Sequence, residues 1–441
     1  MRGIECALNV LAQSEGGMFA SEALRRALRD VEPPERKLAS SIVYLTLRRM
    51  GLWKHLLAKY CKKPANSLSA ETVLSLLAGI AGVTELHHFE PGVLVNALVD
   101  MAKKRSGGMS REPGLINAVL HSVMEKAPDY IESLRSSPAL RDQALGFGVP
   151  GWVASIWSKE LGMKETKRLI RISTDQTLMS LRASAGTDRD GWISKFGWLS
   201  PSPSDVLSYG IRLESNPYPP DIPGYAEGLV TPQTESSMLA AESLLTHWRG
   251  GALLDMCVGR GVKSGHIMTQ CPDAVVEGWD ISSSRLKSAE REFARLGASK
   301  ERFSLVCGDA LTAEPETVPS AILLDAPCSG SGTWGRHPDG KWKNTPSSVG
   351  RMEAFQKLLL SRACEILPPG GVIMYCTCSV FRGENENAAA DAMVSRGDMT
   401  EIPLNIRASA ARRGKPYGTV ILPDSPWMDG FYMVMFRKKK V

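Results

Sequence analysis

The stretch Ala321-Ile322-Leu323-Leu324-Asp325-Ala326-Pro327-Cys328-Ser329-Gly330 decides the fold. Its apolar run is short, reads as a strand buried on both faces, and stops at Asp325. A Pro, a Cys and a loop of small residues, Ser329-Gly330-Ser331-Gly332, follow. Strands of this kind belong to parallel sheets covered by helices, and there ligands gather in the crevice outside the strands' carboxyl ends. A carboxylate and a thiol at such an end fit chemistry. They also fit a capped strand with a packed Cys, because free Cys is among the most buried residue types. A second strand end with a thiol, Tyr375-Cys376-Thr377-Cys378-Ser379, favours chemistry.

Outward from this stretch the same texture repeats. From about residue 229 strand alternates with helix, the pattern of a parallel sheet. Ala252–Asp255, Ala274–Asp280, Phe303–Cys307 and Val372–Cys376 read as strands, with helices over Ser236–His247, Arg285–Leu296 and Met352–Leu367. Phe431–Phe436 reads as an edge strand close to the end. Residues 1–145 instead read as successive helices. Leu38, Ile42 and Leu45 form an apolar stripe, and Pro91-Gly92 opens a helix that ends in Lys103-Lys104-Arg105 before Gly107-Gly108. Residues 146–228 read as a small α+β insert, with strands at Leu178–Arg182 and Tyr209–Leu213 and a Pro-rich loop over 216–224. The expected order is therefore an all-α front domain, a small α+β piece, and an α/β domain over 229–441.

With 441 residues the chain is too long for one ordinary core. A net charge of +6 is a mild bias toward polyanions. Nine Cys without a C-x-x-C pair argue against a zinc module or a disulfide framework. No apolar run approaches the roughly 18 residues of a membrane span, and Glu5 within the first turns argues against a signal peptide. A reducing cytoplasm, no membrane, no metal and a monomeric chain are the expectations. The basic helix ends of the front domain fit an RNA face or simply solvated ends.

Four strands of the α/β domain lead to an acid: Asp255, Asp280, Asp309 and Asp325. After the first comes Cys257-Val258-Gly259-Arg260-Gly261-Val262-Lys263, a Gly-bearing turn before a helix, where a ligand comes close to backbone. Asp280 lies about 20 residues beyond, where a carboxylate meets a ribose diol. Arg285, just past it, joins the candidate cofactor residues. The third glycine of the dinucleotide fingerprint is missing, so an adenosine-type cofactor, S-adenosylmethionine ahead of a nicotinamide, is the expectation. Two thiols beside a methyl donor suit methylation at carbon 5 of a pyrimidine. A thiolate adds to carbon 6, carbon 5 takes the methyl group, and a base then removes the carbon-5 proton. Because an unperturbed Cys is only a few per cent ionised at neutral pH, positive charge is needed; Lys341 and loop N–H groups are the candidates. Cys376-x-Cys378 as a metal pair lacks accompanying ligands.

Asp325-Ala326-Pro327-Cys328-Ser329-Gly330-Ser331-Gly332 with His337-Pro338-Asp339-Gly340-Lys341-Trp342, followed by Thr377-Cys378-Ser379, resembles the RNA cytosine-C5 methyltransferases of the RsmB/Sun (Fmu) type. Asp429-Gly430-Phe431-Tyr432 is similar to that family's closing strand, and the helical part, including Leu115–Leu120, resembles a NusB-like RNA-binding domain. The resemblance implies a Rossmann-like class I methyltransferase domain and small-subunit ribosomal RNA as substrate. It implies Cys378 as nucleophile on carbon 6, with Cys328 assisting proton removal and release. It further implies Cys257 to Lys263 along the methionine and adenosine, Asp280 at the ribose, Asp309 on the adenine side and Asp325 by the target base. The chain departs from the family's Cys-Ala-Ala-Pro-Gly-Gly-Lys loop at Arg260 and Val262. A β-branched residue at Val262 is strained if φ is positive there, unless the turn shifts onto Gly259 and Gly261. A non-catalytic RNA-binding or assembly protein of the same fold therefore stays open. A DNA cytosine methyltransferase fits less well, because those enzymes attack with the Pro-Cys thiol and lack the Thr-Cys partner.

Overall fold

Pro at N1, an apolar stripe and basic last turns set up the helices of the front half, and packing of that stripe holds them. The computed structural model describes residues 2–87, 89–106 and 110–440. Helix Pro33–Arg48 starts on its prolines and buries Ala39, Ile42, Val43 and Leu47, with Leu38 and Leu45 at the margin of the stripe. Pro91–Ser106 carries Lys103, Lys104 and Arg105 in its last turn, where cations suit the helix dipole. Gly107 and Gly108 lie outside the described residues. Together with Ala70–Glu85 and the long helix Glu112–Ser136, these elements enclose an apolar core around Trp53, Leu77, Leu98 and Leu120.

Contacts group the chain into two units. One holds Met1–Asp175 and also Trp334–Asn344; the other holds Gln176–Thr333 and Thr345–Val441. The 334–344 segment thus leaves the α/β sequence and belongs to the helical unit. There Lys341 Nζ donates to the Arg48 carbonyl at 2.6 Å, Asp339 accepts from the Ala20 N–H at 3.0 Å, and Trp334 packs on Trp157. Of residues 146–228, the helices Gly151–Leu161 and Met163–Ile172 fall in the helical unit and the strands in the other.

The second unit has two sheets. The smaller is antiparallel, in the order β2-β3-β1-β4: β1 is Ser180–Ala183, β2 Pro201–Pro203, β3 Gly210–Leu213 and β4 Val230–Pro232. The larger contains β5 (Gly251–Asp255), β6 (Ala274–Asp280), β7 (Phe303–Cys307), β8 (Ala321–Asp325), β9 (Val372–Thr377), β10 (Met399–Ile402), β11 (Ala411–Arg413), β12 (Thr419–Ile421) and β13 (Phe431–Lys438). Its order is β11-β12-β13-β9-β8-β5-β6-β7, with β10 also on β13. β5 through β9 are parallel and β13 is antiparallel to β9. The chain runs outward in one direction through β5, β6 and β7, and in the other through β8 and β9. The topological switch point therefore lies between β5 and β8, where such sheets bind ligands.

The expectation of an edge strand near the end is not met. β13 lies inside the sheet, with β9 on one side and β12 and β10 on the other. Its residues Phe431 to Phe436 are all buried, which needs cover on both faces and both edges.

Candidate active site

Each strand at the switch point ends in a group that the backbone holds firmly. Asp255, at the end of β5, is buried; its Oδ1 accepts from the Cys257 N–H at 3.2 Å and its Oδ2 from Ser264 Oγ at 2.5 Å. Burial pushes its carboxyl up to about 7, against the pull of the Ser264 hydrogen bond and with the help of Asp325. Asp280, at the end of β6, accepts from the N–H groups of Gly259 (3.1 Å) and Ser282 (2.8 Å), and Arg285 stands 3.6 Å from it. One carboxylate thus ties the glycine turn to the end of β6. Asp309 is exposed beyond β7, and its Oδ1 accepts from the Leu311 N–H.

The glycine turn answers the question raised by its sequence. Gly259 and Gly261 take positive φ, +56° and +79°, and Val262 is the first residue of helix Val262–Gln270. The only described non-glycine residue with positive φ is Ser200. Val262 is therefore unstrained, and the turn has moved onto the two glycines. A Cβ on Gly261 would come within 2.6 Å of Phe293, whereas one on Gly259 would make only an ordinary 3.8 Å contact with the Cys257 carbonyl. Arg260 is exposed on the same turn and Val258 is buried beneath it. The Cys257 thiol is pushed up by burial and by the carboxylates around it.

The thiols converge from the other half of the crevice. Cys328 Sγ and Cys378 Sγ are 3.2 Å apart, both half-buried. Cys376 is buried at the end of β9 opposite Asp325, and its thiol donates to Asp325 Oδ1 at 3.5 Å. Burial, with Asp325 beside it, holds that thiol well above its ordinary value. The hydrogen bond to Cys378, followed by burial, raises the Cys328 thiol.

Positive charge reaches the thiols from Lys263. Its Nζ meets Asp325 Oδ2 at 2.5 Å and lies in the field of Cys376 and Cys378. Burial works against that charge, but the carboxylate and thiols outweigh it, and the pKa is raised. This replaces the expectation for Lys341. That side chain is fully buried in the helical unit and its ammonium is committed to the Arg48 carbonyl; burial, with Arg48 and Arg49 nearby, pushes its pKa well down. A lysine that resists protonation is a poor source of charge for a thiolate.

One residue that sequence reasoning missed holds both cysteine loops. Glu384 is fully buried in a π-helical turn, Gly383–Asn387, and takes hydrogen bonds from Ser329, next to Cys328, and Ser379, next to Cys378. Its run, Gly-Glu-Asn-Glu-Asn, reads as a polar surface turn, and only the π geometry could have flagged it. Among the described residues no group of three His, Cys, Asp or Glu is placed to hold a metal, and no helix is long and apolar enough to cross a membrane.

Residues 243–437 match the family model of 16S rRNA methyltransferase RsmB/F, and residues 4–125 match that of the NusB family. By these matches the α/β part is similar to the RsmB/F methyltransferases and the helical part to the NusB family. The chain is 26% identical to a ribosomal RNA small subunit methyltransferase B of Vibrio cholerae, over 96% of this chain and 94% of that one. It is 28% identical to the protein of the same description from Thermus thermophilus, over 98% and 96%. In fold it is similar to the crystal structure of PH0851 (TM-score 0.81, 20% identity, 99% of this chain and 98% of that one). It is also similar to NSun6 from Pyrococcus horikoshii with SFG (TM-score 0.58, 18% identity, 66% and 99%). The chain is thus similar to 16S rRNA methyltransferases that carry a NusB-like helical region, a class whose methyl donor is S-adenosylmethionine. The crevice fits that donor: two positive-φ glycines open the backbone after β5, and Asp280 and Asp309 line the ends of β6 and β7.

Proposed function

We propose that this chain methylates carbon 5 of a cytosine in small-subunit ribosomal RNA through a covalent bond between Cys378 Sγ and carbon 6. The observation that carries the reading is the 3.2 Å approach of Cys378 Sγ to Cys328 Sγ, with Lys263, paired to Asp325, acting electrostatically on Cys378. Two thiols at one strand-end crevice suit a reaction that needs one sulfur to attack and another to handle a proton.

Cys378, with the Lys263 ammonium in its field, adds as thiolate to carbon 6 and pushes electron density onto carbon 5. Bound S-adenosylmethionine supplies the methyl cation equivalent that carbon 5 takes. Cys328 Sγ, deprotonated, then takes the carbon-5 proton and becomes a thiol. The electron pair of that C–H bond restores the ring double bond, and Cys378 departs as thiolate. Asp325, held by Lys263 and Cys376, keeps acceptor capacity for the exocyclic amine of cytosine, as carboxylates do when they read that base. Cys257 to Lys263, Asp280, Arg285 and Asp309 would hold the donor. A monomeric state and a cytoplasmic location complete the reading.

The test is to map 5-methylcytosine in small-subunit rRNA treated with the wild-type chain, with Cys378→Ala and with no protein. A single cytosine modified only by the wild type is expected. Full modification by Cys378→Ala would remove the assignment.

A further inference from the structure

Glu384 takes no part in the chemistry above, yet its surroundings are those of a functional group. A buried carboxylate is costly unless its oxygens are satisfied. Oε1 accepts from the Ser329 N–H at 2.7 Å and from Gln356 Nε2 at 3.0 Å; Oε2 accepts from Ser329 Oγ at 2.5 Å and from Ser379 Oγ. These donors come from three separate segments. Ser329 follows Cys328, Ser379 follows Cys378, and Gln356 also donates to the carbonyl of Pro327, just before Cys328, at 2.7 Å. Ser331 closes the circuit, 2.9 Å from Ser379 Oγ and accepting from the Val380 N–H at 2.9 Å.

The turn that carries Glu384 is itself fastened. Tyr375 donates to the Glu384 carbonyl at 2.6 Å, and Asn385 joins Thr377 Oγ1 at 2.5 Å and the Ser379 carbonyl at 3.0 Å. Well-packed apolar side chains often serve stability as well as a buried charge does, and buried polar groups are retained where they fix one arrangement. Here the arrangement fixed is that of two loops, each with a reacting sulfur next to a clamped serine.

We propose that Glu384 is the positioning residue of the two-thiol reaction: by gathering Ser329 and Ser379 on one carboxylate it sets the separation of Cys328 Sγ and Cys378 Sγ. This rests on the reading of those cysteines as the reacting pair. The negative charge has a second effect, since Glu384 adds to the upward push on the Cys328 thiol.

The test compares wild type, Glu384→Gln, Ser379→Ala and Cys378→Ala in methyl transfer from labelled S-adenosylmethionine to small-subunit rRNA, with kcat and KM measured across pH. Glu384→Gln turns an acceptor into a donor facing donors. It is expected to lower kcat roughly 10- to 100-fold, as sub-ångström misplacement does, with KM for RNA and donor within about twofold. Loss of the negative charge is expected to move the thiol limb of the pH profile to lower pH. Ser379→Ala should lower kcat in the same direction by a smaller factor. A folded Glu384→Gln with wild-type kcat and pH profile overturns the proposal, as does a change confined to KM. If Glu384→Gln fails to fold, an unchanged kcat in Ser379→Ala overturns it instead. Retained activity in Cys378→Ala marks failure of the cysteine reading itself; loss there with a normal Glu384→Gln marks failure of this inference alone.

Discussion

Cys328 and Cys378 are fifty residues apart in sequence, and their sulfurs lie 3.2 Å apart. β8 and β9 are parallel neighbours, so their carboxyl ends deliver both loops to one point. The Lys263–Asp325 pair brings the turn after β5 to the same point.

The glycine turn can be tested by paired substitutions. Gly261→Ala forces a methyl group toward Phe293 in a left-handed backbone, and we expect a loss of about 2–4 kcal/mol in stability. Gly259→Ala meets only the Cys257 carbonyl at 3.8 Å and should lose only about 1–2 kcal/mol for its backbone conformation. Denaturant unfolding of both variants checks the order.

His266 gives the fold an acid limit. It is fully buried in helix Val262–Gln270, its ring edge-on to Tyr209 at 5.4 Å, and burial, then Arg182, holds its pKa well below the ordinary 6.5. The folded chain keeps the ring neutral while the unfolded chain protonates it. The unfolded state therefore binds more protons below about pH 6.5, and stability falls as pH drops through that value. His266→Phe should flatten this slope between pH 6.5 and 5. An equal slope in thermal melts of the variant would assign the acid limit to other groups.

How much of this was legible follows from what each signal depends on. Asp255, Asp280 and Asp325 could be read because buried apolar runs stop at them, and that pattern is local. The extra strands β10, β11 and β12 are short and polar, and their pairing with β13 is not written in any periodicity. Glu384 was illegible because its partners Ser329 and Gln356 come from distant segments. Lys341 was misread because nearness in sequence to Cys328 does not fix destination: Trp334 to Asn344 carry the chain into the helical unit.

That reassignment has its own consequence. Lys341 makes one hydrogen bond to the Arg48 carbonyl from a fully buried position. Lys341→Met keeps the volume and sheds a buried amine, and should hold the unfolding midpoint within about 1 kcal/mol of wild type. Lys341→Glu buries an uncompensated carboxylate and should lose roughly 3–5 kcal/mol. If Lys341→Met left stability alone but slowed methyl transfer, the charge role would return to Lys341.

The central claim is that Cys378 bonds carbon 6 and that Cys328 is needed for release. The most direct measurement is denaturing gel electrophoresis of Cys328→Ala and of Cys328→Ala/Cys378→Ala after incubation with labelled small-subunit rRNA and S-adenosylmethionine. The account predicts a protein–RNA species that survives denaturation in the single variant and is absent from the double. A species of equal yield in both, or none in either while the wild type methylates, would contradict it.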